Sequence, residues 1–336
     1  MEGEEGGEEE EEEEEEEQSP SPSPPAVQRV SIAVEETNVL PGALQLIRKL
    51  RPQWEAERVK TKVFTEGITN KLMACFTDEN MRDAVLVRVY GRKTELIVDR
   101  ANELRNFQVL QDHGCAPNLY CTFENGYCYE FMPGKALGPE DIRQPNIFRL
   151  VAQEMAKMHR IHTNGSLPKP CLWHRLYKYF NLVKTEFART TSNPRGLVLT
   201  HSQAVAYMVH PISCFLHHQF ILSGLNEVDY SLYPSKEVQM QWLRYYLQAY
   251  KKLGQENQEE GSKSRGESRA VPEEELESLY VQVNQFALAS HFLWACWGLI
   301  QAQFSTIDFN FARYADIRFK QYFKTKPVVT SLKMSK

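Results

Sequence analysis

Hydrophobic and polar positions change rhythm several times along this 336-residue chain, and each change predicts an element. In "VLPGALQLIRKLRPQW", Leu44, Ile47 and Leu50 fall three apart with Leu46 beside them, so they share one helical face, and Pro52 marks the end of that helix. The period then shortens. "KVFTEGITNKLMACFT" and "DAVLVRVYG" carry apolar and β-branched residues in short runs, the pattern of adjacent strands; Gly67 interrupts the first and Gly91 ends the second. In "VDRANELRNFQVLQDHG", Leu104, Phe107 and Leu110 lie on one helical face, with Asp99 as N-cap and Gly114 as the stop. "NLYCTFENGYCYEFMPG" follows, two strand-like runs about the hairpin signal Asn125-Gly126. The order strand, strand, helix, strand, strand predicts a small antiparallel sheet with one helix packed on it.

From "PNIFRLVAQEMAKMHRIH" onward the chain reads mainly helical, with Ile147, Leu150, Val151, Met155, Met158 and Ile161 as one apolar stripe. A second, helical lobe starts here. "ELESLYVQVNQFALASHFLWACWGLIQAQF" and "FARYADIRFKQYF" are two more helices. The charged, small-residue stretch "NQEEGSKSRGESRAVPEEE" reads as a surface loop, placed at 254–271.

Charge alters this picture at one end. Thirteen glutamates fall within residues 1–17, so the net charge of −5 conceals a remainder with 31 acids against 39 bases. A basic folded part suits a small phosphate-bearing ligand, and equally an ordinary solvated surface; no nucleic-acid partner is expected. The acidic start and its Ser-Pro tract repel and solvate themselves, which predicts a disordered tail over 1–37; having no basic start or apolar middle, it is no signal peptide. Seven scattered cysteines indicate reduced core thiols and a cytoplasmic protein, with packing preferred over a zinc site for Cys115, Cys121 and Cys128.

Three groups of residues carry candidate chemistry. Val85, Val87 and Val89 alternate with Arg88, so a half-buried strand points this guanidinium to the face opposite the valines, where Glu103 on the next helix can meet it. The pair is either a structural ion pair or a cation presented to a nucleotide phosphate, the arrangement protein kinases build with lysine. The turn in "FTEGITNKL" offers backbone amides near Gly67 to Asn70, a phosphate cover or a plain hairpin turn. Trp294 and Trp297 sit three apart on one helix and Tyr314 on the next; they form either core or a three-sided cage for an alkylammonium. His291 beside them reads as a hydrogen-bonded core histidine.

Taken together, "FTEGITNKL", "VLVRVYGRKTELIVDR", "NFQVLQDHGCAPNLYCTFENGYCYEF" and "QVNQFALASHFLWACWGLIQAQFSTIDF" resemble the choline/ethanolamine kinase family, most closely its ethanolamine kinases, over residues 38–188 and 225–330. The resemblance implies an α+β, protein-kinase-like bilobal fold with a nucleotide-binding lobe at 38–134, a helical lobe beginning at 135–188 and resuming at 225–330, and ATP- and Mg²⁺-dependent phosphorylation of ethanolamine, the first step of the CDP-ethanolamine route to phosphatidylethanolamine. It also implies roles. Gly67, Thr69 and Asn70 match the phosphate-covering loop, Arg88 the nucleotide-contacting strand residue and Glu103 its helix partner. Glu130 and Phe131 match the inter-lobe connection where backbone groups meet adenine, and Trp294, Trp297 and Tyr314 the aromatic side of the amine pocket.

The family's catalytic loop, a His-Asn-Asp followed by an Asn, and its Ile-Asp-Tyr-Glu and Asp-Ile-Gly-Asn-His stretches have no match here. No catalytic residue and no Mg²⁺ ligand is therefore assigned, and the helical lobe is expected to be incomplete. In their place stands an atypical segment at 189–224, and from Glu186 to Glu227 the chain carries no carboxylate at all. Mg²⁺ needs hard oxygen ligands, whereas this stretch offers imidazoles, hydroxyls and amides. Neither a new metal site at His201, His210, His217 and His218 nor a membrane span over Gly196 to Asn226 is expected, the latter being too polar. An alternative exon or an erroneous gene model accounts for the swap. The chain is then expected to be a very poor kinase, or else a catalytically silent nucleotide- or amine-binding module.

Overall fold

The computed structural model describes residues 27–64, 70–161, 171–190, 228–256 and 270–333. Six strands form one sheet: β1 (Gln28–Val30), β2 (Lys60–Phe64), β3 (Asn70–Phe76), β4 (Val85–Tyr90), β5 (Leu119–Phe123) and β6 (Gly126–Glu130), in spatial order β1-β5-β6-β4-β3-β2. Every pairing is antiparallel except β1 with β5, which is parallel, so the sheet is mixed rather than antiparallel throughout. Its first long run is two paired strands, β2 and β3, so that with β1 four strands precede α2 (Arg100–Asp112) instead of two. The expected tail over 1–37 is also too long. Gln28–Val30 pair with Cys121–Phe123, Val34 is buried, and the Asn125 side chain accepts from the Val34 N–H at 2.9 Å and donates to its carbonyl at 2.7 Å.

The valine face of β4 is closed by α1 (Val39–Leu50), whose Ala43, Leu46 and Ile47 pack on Met73, Cys75, Val85, Val87 and Val89. Each fully covered valine contributes roughly 1.5–3 kcal/mol relative to exposure. The sequence pattern assigned the packing helix to α2 (Arg100–Asp112), yet that helix has no fully buried residue; it lies half-covered, its Phe107 ring edge-on to Tyr127 and Tyr129. The expected boundaries hold: the Asp99 carboxylate accepts from the Asn102 N–H at 3.1 Å, and Gly114 takes φ +63° just past the helix. At the β5–β6 hairpin, a Cβ on Gly126 would stand 2.1 Å from the Arg88 carbonyl oxygen, so only glycine lets these strands approach. Cys121 and Cys128 face each other across the pair as buried free thiols, and Cys115 lies apart from them, after α2.

The helical lobe comprises α3 (Pro139–Ile142), α4 (Pro145–His159), α5 (Leu172–Thr190), α6 (Lys236–Glu256), α7 (Glu273–Phe304) and α8 (Phe311–Ser331). Its main core joins Phe148, Ala152 and Ala156 of α4 to Trp242, Leu243 and Tyr246 of α6 and to Leu276, Leu279 and Val283 of α7. Here the predicted stripe on α4 is out of phase: Leu150 is 59 % exposed and Met158 40 %. Small Ala152 and Ala156 point inward instead because the facing positions on α6 carry large rings, with Trp242 and Tyr246 stacked at 5.8 Å. Two further limits shift. The last helix continues to Ser331 through Pro327, and the loop placed at 254–271 is shorter, since 254–256 finish α6 and Val271 is buried in the core.

Candidate functional site

Arg88 leaves β4 on the face opposite the valines, as the strand alternation requires, and its Nη2 stands 3.3 Å from Glu103 Oε1. The other oxygen of Glu103 accepts from Arg100 Nη1 at 2.7 Å. Arg100 also donates to Thr94 Oγ1, and that hydroxyl donates to the Gly91 carbonyl at 2.6 Å. One carboxylate thus fixes two guanidiniums, each also placed over a ring: Arg100 Cζ lies 3.8 Å from the Tyr90 centroid and Arg88 Cζ 5.4 Å from that of Tyr127. Burial pushes both tyrosine hydroxyls upward in pKa, so they remain neutral donors beside this charge. Arg88 Nε is buried without a hydrogen-bond partner.

Arg88 borders a cavity of about 220 Å³ between the sheet and the helices. Asn70, Arg88 and Arg100 line one side, Arg175 and Tyr179 of α5 a second, and Trp294 and Trp297 of α7 a third. The Tyr179 hydroxyl donates to the Ile97 carbonyl at 3.4 Å, which draws α5 toward the sheet. Four residues expected from the sequence therefore meet in one space: Asn70, Arg88, Trp294 and Trp297. Glu103 supports them from behind Arg88.

Tyr314 does not join them. It lies 5 % exposed in the core behind Trp297, ring centroids 6.1 Å apart, with Arg318 Cζ 5.8 Å from its own centroid. The two tryptophans meet edge-on at 5.2 Å and 76°, so the predicted three-sided cage becomes two indoles with Tyr179 as the third aromatic of the lining. Glu130 and Phe131 do stand where the sheet hands over to the helices, but the N–H of Glu130 is taken by the Asn118 carbonyl at 2.9 Å and that of Phe131 by the Ala84 carbonyl at 3.3 Å. The Glu130 carboxylate accepts from the Asn118 side chain at 2.7 Å, and the Phe131 ring stacks on Phe64 at 6.3 Å. Gly67 and Thr69, the four histidines from His201 to His218 and the stretch Gly196 to Asn226 lie outside the described residues. Among the described residues no helix is long and apolar enough to cross a membrane.

Sequence reasoning missed Arg100, Arg175 and Tyr179. Arg175 and Tyr179 are four apart in "LWHRLYKYF" and so share a helical face, a signal that was there but undistinguished from a solvated one. Anion chemistry fits this site: three guanidiniums against one carboxylate, and a buried Arg88 N–H without a partner. Among the described residues no carboxylate lines the cavity, Glu103 is shared by two guanidiniums, and no three acidic, histidine or cysteine side chains cluster to hold a metal.

The sequence pattern of the family Choline/ethanolamine kinase matches residues 61–218 and 222–323. The chain belongs to the choline/ethanolamine kinase family. It is similar to ethanolamine kinase 2 of Mus musculus, 49 % identical over 353 residues that cover 93 % of this chain and 88 % of that protein. It is also similar to ethanolamine kinase 1 of Mus musculus, 44 % identical, covering 92 % of this chain and 96 % of the relative. Among solved structures it resembles a choline kinase from Cryptosporidium parvum Iowa II, with TM-score 0.65 and 18 % identity over 86 % of this chain and 95 % of that one. An ethanolamine kinase of Plasmodium vivax gives TM-score 0.64 and 21 % identity over 90 % and 93 %. The fold is thus the α+β, protein-kinase-like one of the family, and the kinship lies closest to the ethanolamine kinases. The family match also runs through 189–218, a stretch the motif resemblance left uncovered.

Proposed function

We propose that this chain binds ATP and an ethanolamine-like amine in the cavity between its lobes, and that as written it phosphorylates ethanolamine very poorly. The observation that carries this reading is the composition of that cavity: an anion-ready arginine pair faces two indoles, and no carboxylate lines it. Its cationic side suits the phosphates of a nucleotide and its indoles an alkylammonium, at about 0.5–2 kcal/mol for each ring contact. Ethanolamine and ATP as the pair follow from relatives named ethanolamine kinase at 44–50 % identity.

Phosphoryl transfer asks for more than binding. The hydroxyl of the amino alcohol attacks the terminal phosphorus, the bond to ADP breaks, and the hydroxyl proton passes to a base. Bound Mg²⁺ would screen the charge that builds on the phosphate oxygens. A missing base alone costs about 10²–10⁴ in rate, and the missing metal screening adds to it. The family's acidic motifs are absent from the sequence, and 353 aligned positions against about 312 residues of this chain (93 % of 336) mean that mouse ethanolamine kinase 2 carries about 41 residues without a counterpart here. That shortfall supports an exchanged internal segment, whether by exon choice or by gene-model error, and sequencing the transcript across Ala188 to Gly224 distinguishes the two.

The test is an assay of the purified chain with ATP, Mg²⁺ and ethanolamine beside mouse ethanolamine kinase 2. Turnover at least 10⁴-fold lower is expected; turnover within tenfold overturns the reading. Thermal shift with ATP separates a silent binding module from a chain that binds nothing: the wild type gains stability and Arg88→Met loses that gain.

A further inference from the structure

Among the described residues the most deeply buried charge of the helical lobe lies outside the cavity. Arg318 of α8 is 1 % exposed. Its Nη2 reaches Ser290 Oγ of α7 at 3.5 Å, its Cζ lies 5.8 Å from the Tyr314 centroid, and the Tyr230 hydroxyl stands beside it. Its Nε is buried without a hydrogen-bond partner, and among the described residues no carboxylate pairs with it. The remaining neighbour, His291, packs edge-on to Tyr230 at 5.6 Å and is held neutral, its pKa pushed down to about 2 by burial and then by the Arg318 charge. Tyr230 and Tyr314 are pushed up by burial and remain neutral as well. Among the described residues, a guanidinium with five donors and permanent charge is therefore enclosed by neutral groups that use few of them.

Natural interiors do not keep such a charge without an anion, because breaking a buried pair costs far more than never building it. The place of the vacancy says where the anion belongs. Tyr230 follows closely on the stretch from 187 to 226, which contains no aspartate or glutamate, and mouse ethanolamine kinase 2 has about 41 more residues within the aligned span than this chain supplies. We infer that Arg318, with Ser290 and Tyr230, is a socket for a carboxylate side chain carried on the internal segment that relatives possess and this chain lacks. The socket is a positioning device: an ion pair in it would anchor the returning polypeptide to α7 and α8, directly behind Trp297 and Tyr314. This inference rests on family membership and on the exchanged segment proposed above, and stands whether or not the cavity binds ethanolamine.

The test is a change of sign. Arg318→Met in this chain removes a charge that has no partner, and its Tm is expected to rise by about 2–4 °C. In a hybrid carrying the corresponding internal segment of mouse ethanolamine kinase 2, the same substitution strips a carboxylate of its partner, and Tm is expected to fall by about 5 °C or more. Arg318→Gln, closer in shape, should reproduce both signs, and protease half-life reads them where heating gives no single transition. A fall of equal size in both backgrounds, or no change in the hybrid, overturns the inference.

Discussion

Arg88 and Arg318 are both withdrawn from water, one in each lobe, but their surroundings differ. Arg88 shares Glu103 with Arg100, and the network closes through Thr94 onto the backbone of Gly91. Arg318 has a hydroxyl at the limit of hydrogen bonding, aromatic rings and a neutral histidine. Every segment needed to neutralise the first site lies between Tyr90 and Asp112, where the sequence matches the family without interruption. Among the described residues the second site has no such anion. Among the described residues, then, one lobe supplies its arginine with an anion and the other does not, while both cores are built from apolar residues that pack well.

Three measurements sharpen or break that contrast. The largest effect is expected from Trp242→Ala, which empties the aromatic stack at the centre of the helical core and should cost about 3–5 kcal/mol in denaturant unfolding; melting like the wild type would mean that this lobe contributes no cooperative stability in this chain. Glu103→Ala is expected to cost about 1–3 kcal/mol, since two guanidiniums less than a third exposed lose their shared anion. That is the opposite sign to Arg318→Met, and the same sign for both would erase the distinction.

Within one pH unit below neutrality the smallest effect is pH-dependent and belongs to the helical lobe. An unfolded chain protonates His291 near the ordinary 6.5, whereas the folded one resists until about 2. Folding stability should thus fall as pH drops below 6.5, by up to about 1.4 kcal/mol for each unit of pH. His291→Gln should flatten that acid limb, and an unchanged acid limb would show that His291 is not buried neutral.

How far the sequence told this in advance depends on the range over which each residue acts. Arg88 and Glu103 were legible because a two-residue period fixes which side of β4 an arginine takes, and α2 begins shortly after it. The N-cap Asp99, the stop at Gly114 and the Asn125-Gly126 hairpin are equally local. By contrast, β1 depends on a parallel pairing with residues more than ninety positions away, and a three-residue strand after a Ser-Pro tract has no period to read. The α4 stripe failed because leucine and methionine outrank alanine in any hydrophobicity pattern, although the wide rings of α6 leave room only for alanine. Arg175 and Tyr179 became site residues through the way α5 approaches the sheet, and Tyr314 was lost from the site because its ring is turned to Trp297 and Arg318.

Gly126 carries one more implication. The oxygen its missing side chain would strike belongs to Arg88 itself, so the hairpin and that residue's strand are set against each other like two halves of a hinge pin. A methyl group at 126 would lever that strand outward and swing the guanidinium off Glu103. The Arg88–Glu103 pair is in this way adjustable from the neighbouring strand, by a residue that carries no side chain.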